Sequence, residues 1–179
     1  YVLTVTNSSG CTATSNITIT QNISAPSAAI SSTASVLNCS TTSITLTASG
    51  GGTYSWSNGT SVVGTSAALT VSSPGTYTVT VTAANGCIAT ASQVITQNIS
   101  VPNLQVANQQ NTTVLTCAVA GIDLTASGAA NFSWSNGTSV VSTTAALTVT
   151  LPGSYTVTAT GSNGCSSTST IVITENITL

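Results

Sequence analysis

The 179-residue chain contains no Lys, no Arg and no His, and its only acids are Asp123 and Glu175, giving a formal net charge of −2. Charged residues make up 1% of the sequence, against about 25% in an ordinary soluble domain. Each absence removes a class of function. Without Lys or Arg no surface can neutralise phosphates, which excludes ordinary nucleic-acid recognition. A basic amphipathic membrane helix is excluded on the same ground. Without His, and with two isolated carboxylates, general acid–base chemistry lacks its usual groups. Ser-His-Asp and Cys-His sites cannot be assembled. Calcium loops need clustered carboxylates, and none occur. No apolar run approaches the roughly 20 residues that span a membrane as a helix. No signal-peptide pattern opens the sequence, since Tyr1 already lies in a strand-like alternation, and the chain reads as an excerpt of something longer. No enzyme, cofactor or metal site is expected.

Hydroxyls and apolar groups fill the space left by charge. Ser and Thr together supply 66 residues, and hydrophobic residues are 41%. Disorder goes with low hydrophobicity and high net charge, so this composition predicts a folded chain. Apolar and hydroxyl residues alternate with period two, the signature of half-buried strands. Ile44, Leu46 and Ala48 point one way and Thr45 and Thr47 the other; Tyr77, Val79 and Val81 alternate with Thr78, Thr80 and Thr82. Gly50–Gly52, Asn58–Gly59, Pro74–Gly75 and Asn85–Gly86 mark turns.

The sequence repeats. YVLTVTNSSGCTATSNITITQNISAP at the start recurs as YTVTVTAANGCIATASQVITQNISVP from Tyr77, and as YTVTATGSNGCSSTSTIVITENITL from Tyr155. The offsets are 76 and then 78 residues, too long for a solenoid coil and suited to one small sandwich. The chain therefore divides into the last strands of one repeat (1–25), a complete repeat (26–101) and a second complete repeat (102–179). A donor hairpin that completes a neighbour is the alternative for residues 1–25, but both complete copies carry their own equivalent strands. About seven strands per copy are expected, with the first near 28–34, a short one near 61–63 and the last near 89–96. That count fits an all-β, immunoglobulin-like Greek-key sandwich. Tyr54, Trp56, Tyr77, Phe132, Trp134 and Tyr155 are expected as core aromatics. Tyr77 and Tyr155 follow Pro-Gly-Thr and Pro-Gly-Ser at the start of the sixth strand and resemble a tyrosine corner.

The run Cys39, SITLTASGG, YSWSNG and SPGTYTVTVTAANGC resembles the tandem immunoglobulin-like or PKD-like repeats of large secreted surface proteins of Bacteroidota, the gliding-adhesin and type IX secretion cargo type. The resemblance covers the whole chain. It implies a cell-surface adhesin or extracellular filament. PKD-type repeats often carry an acidic W-x-F-G-D-G turn where this sequence has W-S-N-G, so the resemblance brings no calcium site.

The five cysteines are Cys11, Cys39, Cys87, Cys117 and Cys165. They form no CxxC pair, and such spacing in a hydroxyl-rich β chain reads as extracellular disulfides. Two pairings stand. An intradomain set would be Cys39–Cys87 and Cys117–Cys165. In a Greek-key sandwich, however, the start of the second strand and the end of the sixth lie at opposite ends, roughly 20 Å apart for a six-residue strand, whereas bridged Cα atoms sit about 5.5 Å apart. The other pairing is an inter-domain bridge, Cys39–Cys165, with Cys11, Cys87 and Cys117 linked to domains outside the chain.

Ten Asn residues sit in N-x-S/T sequons; Asn22, Asn58, Asn98, Asn136 and Asn176 are the glycosylation candidates, with polar turn and strand roles as the simpler reading. The uncharged outer faces lack the Lys and other charges that keep sheet edges apart, and low net charge promotes association. Copies of the same chain are the expected partner. A polysaccharide bound through Trp, Tyr and hydroxyls is the alternative. An ice-binding Thr row such as Thr78, Thr80 and Thr82 needs a flat face, which a twisted sandwich supplies poorly. The absence of Lys and Arg also removes trypsin-like cleavage sites, which suits a durable extracellular role.

Overall fold

A computed structural model describes residues 1–177 and contains strands and no helix among them. The final two residues of the third repeat copy, and with them the hydroxyl of the Asn176 sequon, lie outside the described residues. A hairpin comes first, β1 (Val2–Thr6) and β2 (Thr12–Asn16). Eight strands of the second copy follow: β3 (Ala29–Ser32), β4 (Val36–Asn38), β5 (Ile44–Ser49), β6 (Thr53–Ser57), β7 (Val62–Gly64), β8 (Ala68–Val71), β9 (Gly75–Thr82) and β10 (Ile88–Asn98). The third copy repeats them as β11 (Gln105–Asn108), β12 (Val114–Leu115), β13 (Ile122–Ser127), β14 (Asn131–Ser135), β15 (Val140–Ser142), β16 (Ala146–Val149), β17 (Gly153–Thr160) and β18 (Ser166–Glu175).

Each copy forms a three-stranded and a five-stranded sheet. Their orders are β3-β5-β8 with β4-β10-β9-β6-β7, and β11-β13-β16 with β12-β18-β17-β14-β15. This is the immunoglobulin-like sandwich expected from the alternation. The strand count is eight and not seven, because β4 and β12 are separate elements. They pair in parallel with the ends of β10 and β18 (Asn38 opposite Asn98, Leu115 opposite Glu175). A two- or three-residue strand has too few residues to show a period, so only its partner defines it.

Contacts group the chain into two compact units: residues 1–31, 47–69 and 77–93 in one, and residues 32–46, 70–76 and 94–179 in the other. The second unit holds the whole third copy. Its core is built by the apolar phase of each strand: Leu115, Ile122, Leu124, Ala126, Trp134, Val149, Tyr155, Val157 and Ile173. The hydroxyl phase faces outward, where Thr156 and Thr170 pair their hydroxyls at 2.8 Å across β17 and β18. Tyr155 sends its hydroxyl to the Leu151 carbonyl at 3.1 Å, the tyrosine-corner bond that joins the connection before β17 to the core. Ile44, Leu46, Trp56, Tyr77, Val79, Val81 and Ile95 are buried at the corresponding positions of the second copy.

Two of the expected core aromatics are corrected. Tyr54 and Phe132 are half-buried, and Phe132 packs against the core cluster from its margin. They sit early in β6 and β14, one pleat closer to the Gly-rich turn than the buried Trp56 and Trp134.

Candidate functional site: a stapled repeat junction

No cluster of three or more metal-ligating side chains occurs among the described residues. The chemistry of this chain is concentrated instead where the second copy meets the third. Cys39 follows β4, and Cys165 immediately precedes β18. They are joined by a disulfide with Cα atoms 4.9 Å apart, across 126 residues of sequence. The intradomain alternative Cys117–Cys165 is not formed. Leu115 pairs with Glu175 at the far end of β18, so Cys117 and Cys165 are separated by roughly 30 Å of strand. Cys11 and Cys117 are exposed thiols, and Cys87 is a half-buried one.

The sulfurs are held by a turn with a specific local logic. Gly161, Ser162, Asn163 and Gly164 reverse the chain between β17 and β18. The Gly161 amide donates to the Cys165 carbonyl at 2.9 Å, and the Gly164 amide to the Gly161 carbonyl at 3.0 Å. Gly164 has φ +75°, a left-handed conformation that costs a Cβ-bearing residue. It also has no room for a side chain: a Cβ there would meet Ser40, whose Cβ would lie 3.0 Å away and amide nitrogen 3.1 Å away, with the hydroxyl closer still. Gly164 is thus needed both for the turn and for the approach of the segment that carries Cys39.

Asn163 locks the linker beside the staple. Its side-chain amide donates to the Asn98 carbonyl (3.3 Å), the Asn98 Oδ1 (3.1 Å) and the Ser100 carbonyl (2.9 Å). Its own Oδ1 accepts from the Cys165 amide at 3.2 Å. Ser167 adds a bond from its hydroxyl to the Pro102 carbonyl at 2.9 Å. The same device occurs one copy earlier. Asn85 donates to the Asn22 carbonyl (3.3 Å), the Asn22 Oδ1 (3.1 Å) and the Ser24 carbonyl (3.0 Å). The sequence marked Asn85 as a turn residue only. The signal for more was the joint recurrence of N-G-C and Q/E-N-I-S/T in register with each other.

The glycosylation candidates fall in two structural settings. Asn22 and Asn98 are the linker acceptors just described. Asn58 and Asn136 organise turns: Asn58 Oδ1 accepts from the Thr60 amide (3.1 Å), the Thr60 hydroxyl (2.9 Å) and the Ser61 amide (3.0 Å). Asn136 makes the matching bonds to Thr138 and Ser139. Asn176 follows β18, with its amide on the Leu115 carbonyl at 2.8 Å.

Neither Trp offers a stacking platform, since both are fully buried. They differ in polar satisfaction. Trp56 Nε1 donates to the Ser66 carbonyl at 2.9 Å, whereas Trp134 Nε1 is buried with no partner. Ser142 replaces Gly64 at this point, and a Cβ on Gly64 would lie 3.8 Å from Trp56 Cδ1. In the third copy the hydroxyls of Ser142 and Thr144 both turn to the Ala146 carbonyl instead (3.2 and 2.8 Å).

The two acids serve no common site. Asp123 lies on β13, accepts from the Thr148 hydroxyl (2.6 Å) and Gln110 Nε2 (3.0 Å), and returns its own amide to Gln110 Oε1 (2.8 Å). The bond from Thr148, and then that from Gln110, hold its carboxyl below the usual Asp range. The arrangement fastens the β11–β12 connection to the three-stranded sheet.

Fold and junction together define the class: tandem immunoglobulin-like β-sandwich repeats with a disulfide between consecutive copies. No protein-family model matches the chain, and no curated protein matches it. Solved structures similar to it include three N-terminal domains of the bacteriophage RB49 outer capsid protein Hoc, at 21% identity and a TM-score of 0.46, covering 84% of this chain and 59% of that one. Murine CEACAM1b is similar at 15% identity and a TM-score of 0.37, over 84% of this chain and all of that one. Fibronectin(III)-like modules of Clostridium thermocellum CbhA are similar at 11% identity and a TM-score of 0.37, over 74% of this chain and 86% of theirs.

Proposed function

We propose that the chain is a non-enzymatic structural segment of an extracellular filament or long surface adhesin, of the Bacteroidota secreted-repeat type that its motifs resemble. In this reading, residues 1–25 are the end of one repeat, and residues 26–101 and 102–179 are two whole ones. The observation that carries it is the junction. A covalent bond from Cys39 to Cys165 and a three-pronged amide clamp from Asn163 to the linker fix the same junction, which an array under tension needs and a flexible string of binding modules does not. The Cys39–Cys165 disulfide supports an oxidising, extracellular setting, because such bonds persist there and are rare in reducing compartments.

Copies of the same chain are the proposed partner. The edge strands β7 and β15 expose Val62 and Val140 at 65% and 61%, and no Lys or Arg exists anywhere to guard an edge. The polysaccharide-binding alternative loses its Trp platform, since both Trp side chains are buried. Electron microscopy of the native material tests the proposal. Ordered filaments with a spacing of one or two repeats are expected; separate, flexible threads bearing a distal domain would overturn the self-association and with it the copies as partner, and isolated compact particles would overturn the filament and adhesin readings together.

A further inference from the structure

Cys165 is one of three cysteines in equivalent turns, and the structure shows what its turn binds. Cys87 stands in the same turn one copy earlier. The Ala83 amide donates to the Cys87 carbonyl at 2.9 Å and the Gly86 amide to the Ala83 carbonyl at 2.9 Å, matching the bonds of Gly161 and Gly164. The Cys87 amide donates to Asn85 Oδ1 at 3.0 Å, as the Cys165 amide does to Asn163. Gly86 has φ +81° against +75° at Gly164. The two turns differ in one respect. Where a Cβ on Gly164 would strike Ser40, a Cβ on Gly86 would meet nothing within 4 Å. Cys87 is half-buried with a free thiol, and Cys165 is buried and bonded. The Cys87 turn has the shape of a filled junction without the segment that fills one.

The hairpin ahead of it lacks the same neighbour. Leu3 pairs with Ser15 and Val5 with Ala13, the register in which Val157 pairs with Ser169 and Ala159 with Ser167. Leu3, Val5 and Ile19 occupy the repeat positions of Val157, Ala159 and Ile173. They are 64%, 58% and 66% exposed, against 0%, 0% and 1% for their counterparts. In the repeat frame this exposed face corresponds to the one that is buried in the third copy.

We propose that Cys87 is half of a second junction staple, and that its partner is the cysteine at the Cys39 position, between the second and third strands, of the repeat copy whose earlier strands precede the hairpin in the same polypeptide. That copy's Cys39-equivalent segment occupies the open space at Gly86, and its strands cover Leu3, Val5 and Ile19. The proposal rests on the tandem-array reading above. The bond forms by thiol–disulfide exchange. The Cys87 thiolate, having lost its proton, attacks a disulfide oxidant and releases one oxidant thiol. The partner thiolate then attacks the mixed disulfide and releases the second. Two protein thiols are oxidised and one oxidant disulfide is reduced.

The test adds a second copy of residues 26–76 directly before Tyr1 of the full chain, which joins Thr76 to Tyr1 in the repeat's own order. The protein is refolded with oxidised and reduced glutathione. Hydrogen exchange follows the hairpin amides, and non-reducing peptide mapping follows the cysteines. A peptide linking Cys87 to the added cysteine, with slowed exchange through residues 2–19 and only Cys11 and Cys117 reacting with maleimide, is the expected result. Gly86→Ala in this extended chain should abolish the cross-linked peptide. If the hairpin becomes protected while the added cysteine stays free or bonds Cys11, the staple is refuted and the array reading stands. If the hairpin exchanges as fast as in the parent chain, the array reading fails and the staple with it.

Discussion

Removing the staple should uncouple the third copy from the second, and the size of the effect follows from the loop it closes. Cys39→Ala is the cleaner perturbation, because Cys39 is exposed and Cys165 is buried. The bridge spans 126 residues, and chain-entropy arithmetic for a loop of that length gives about 5 kcal/mol at 25 °C. If the third copy alone unfolds while the second stays native, the free loop from the clamped linker to Cys165 is about half as long, and the figure falls only to about 4 kcal/mol because the dependence is logarithmic. For a sandwich of this size, that corresponds to a loss on the order of 20 °C in the midpoint of the third copy. Differential scanning calorimetry of the oxidised chain, the reduced chain and Cys39→Ala is the assay. Reduction and substitution should agree, and a lower transition should separate from the rest. A midpoint unchanged within about 2 °C would refute the view that the bond constrains the unfolded third copy.

Gly164→Ala and Gly86→Ala form a matched pair: both lose the left-handed glycine at about 1 kcal/mol, but only Gly164→Ala also collides with Ser40, so it should cost about 1–3 kcal/mol more by urea unfolding, and equal losses would contradict the close approach. Trp56→Phe should destabilise by about 1 kcal/mol more than Trp134→Phe, because only Trp56 gives up an indole hydrogen bond; a denaturant series on both variants reads the difference. Asp123 is held below its unfolded pKa, so its contribution is present above the unfolded value near pH 3.9 and is lost as the pH falls through the lower folded value. Asp123→Asn should therefore flatten the acid limb of the stability profile in that window, and Thr148→Val should move the Asp123 titration, followed by NMR, back toward the ordinary range.

Much of this protein was written in local pattern. The two-residue period of runs such as ITLTAS and IDLTAS fixed which side chains face inward, since a strand alternates its faces whatever its neighbours. The recurrence of whole segments made the copies visible without any contact information. The buried Trp pair and the tyrosine corner were legible because each sits at a fixed place in a repeated frame. Where the sequence was silent, the cause was distance along the chain. Strands β4 and β12 exist only through parallel partners about 60 residues away. Asn85 and Asn163 show as turn residues, yet their amides act on linkers 61 to 65 residues earlier. Tyr54 and Phe132 share the phase of the buried Trp residues and still end at the margin, because phase gives the face and not the depth.

The missing charges and the cysteine spacing were determined by the sequence alone. They leave the chain without Lys, Arg or His and supply five thiols in two kinds of repeat position. Which thiols meet was a matter of tertiary structure. Strand geometry already set Cys117 and Cys165 at opposite ends of β18, but only the packed junction, with Gly164 against Ser40 and Asn163 on the linker, brings Cys39 to Cys165. A disulfide requires its Cα atoms within about 7 Å, and no local pattern in a strand encodes that proximity across 126 residues.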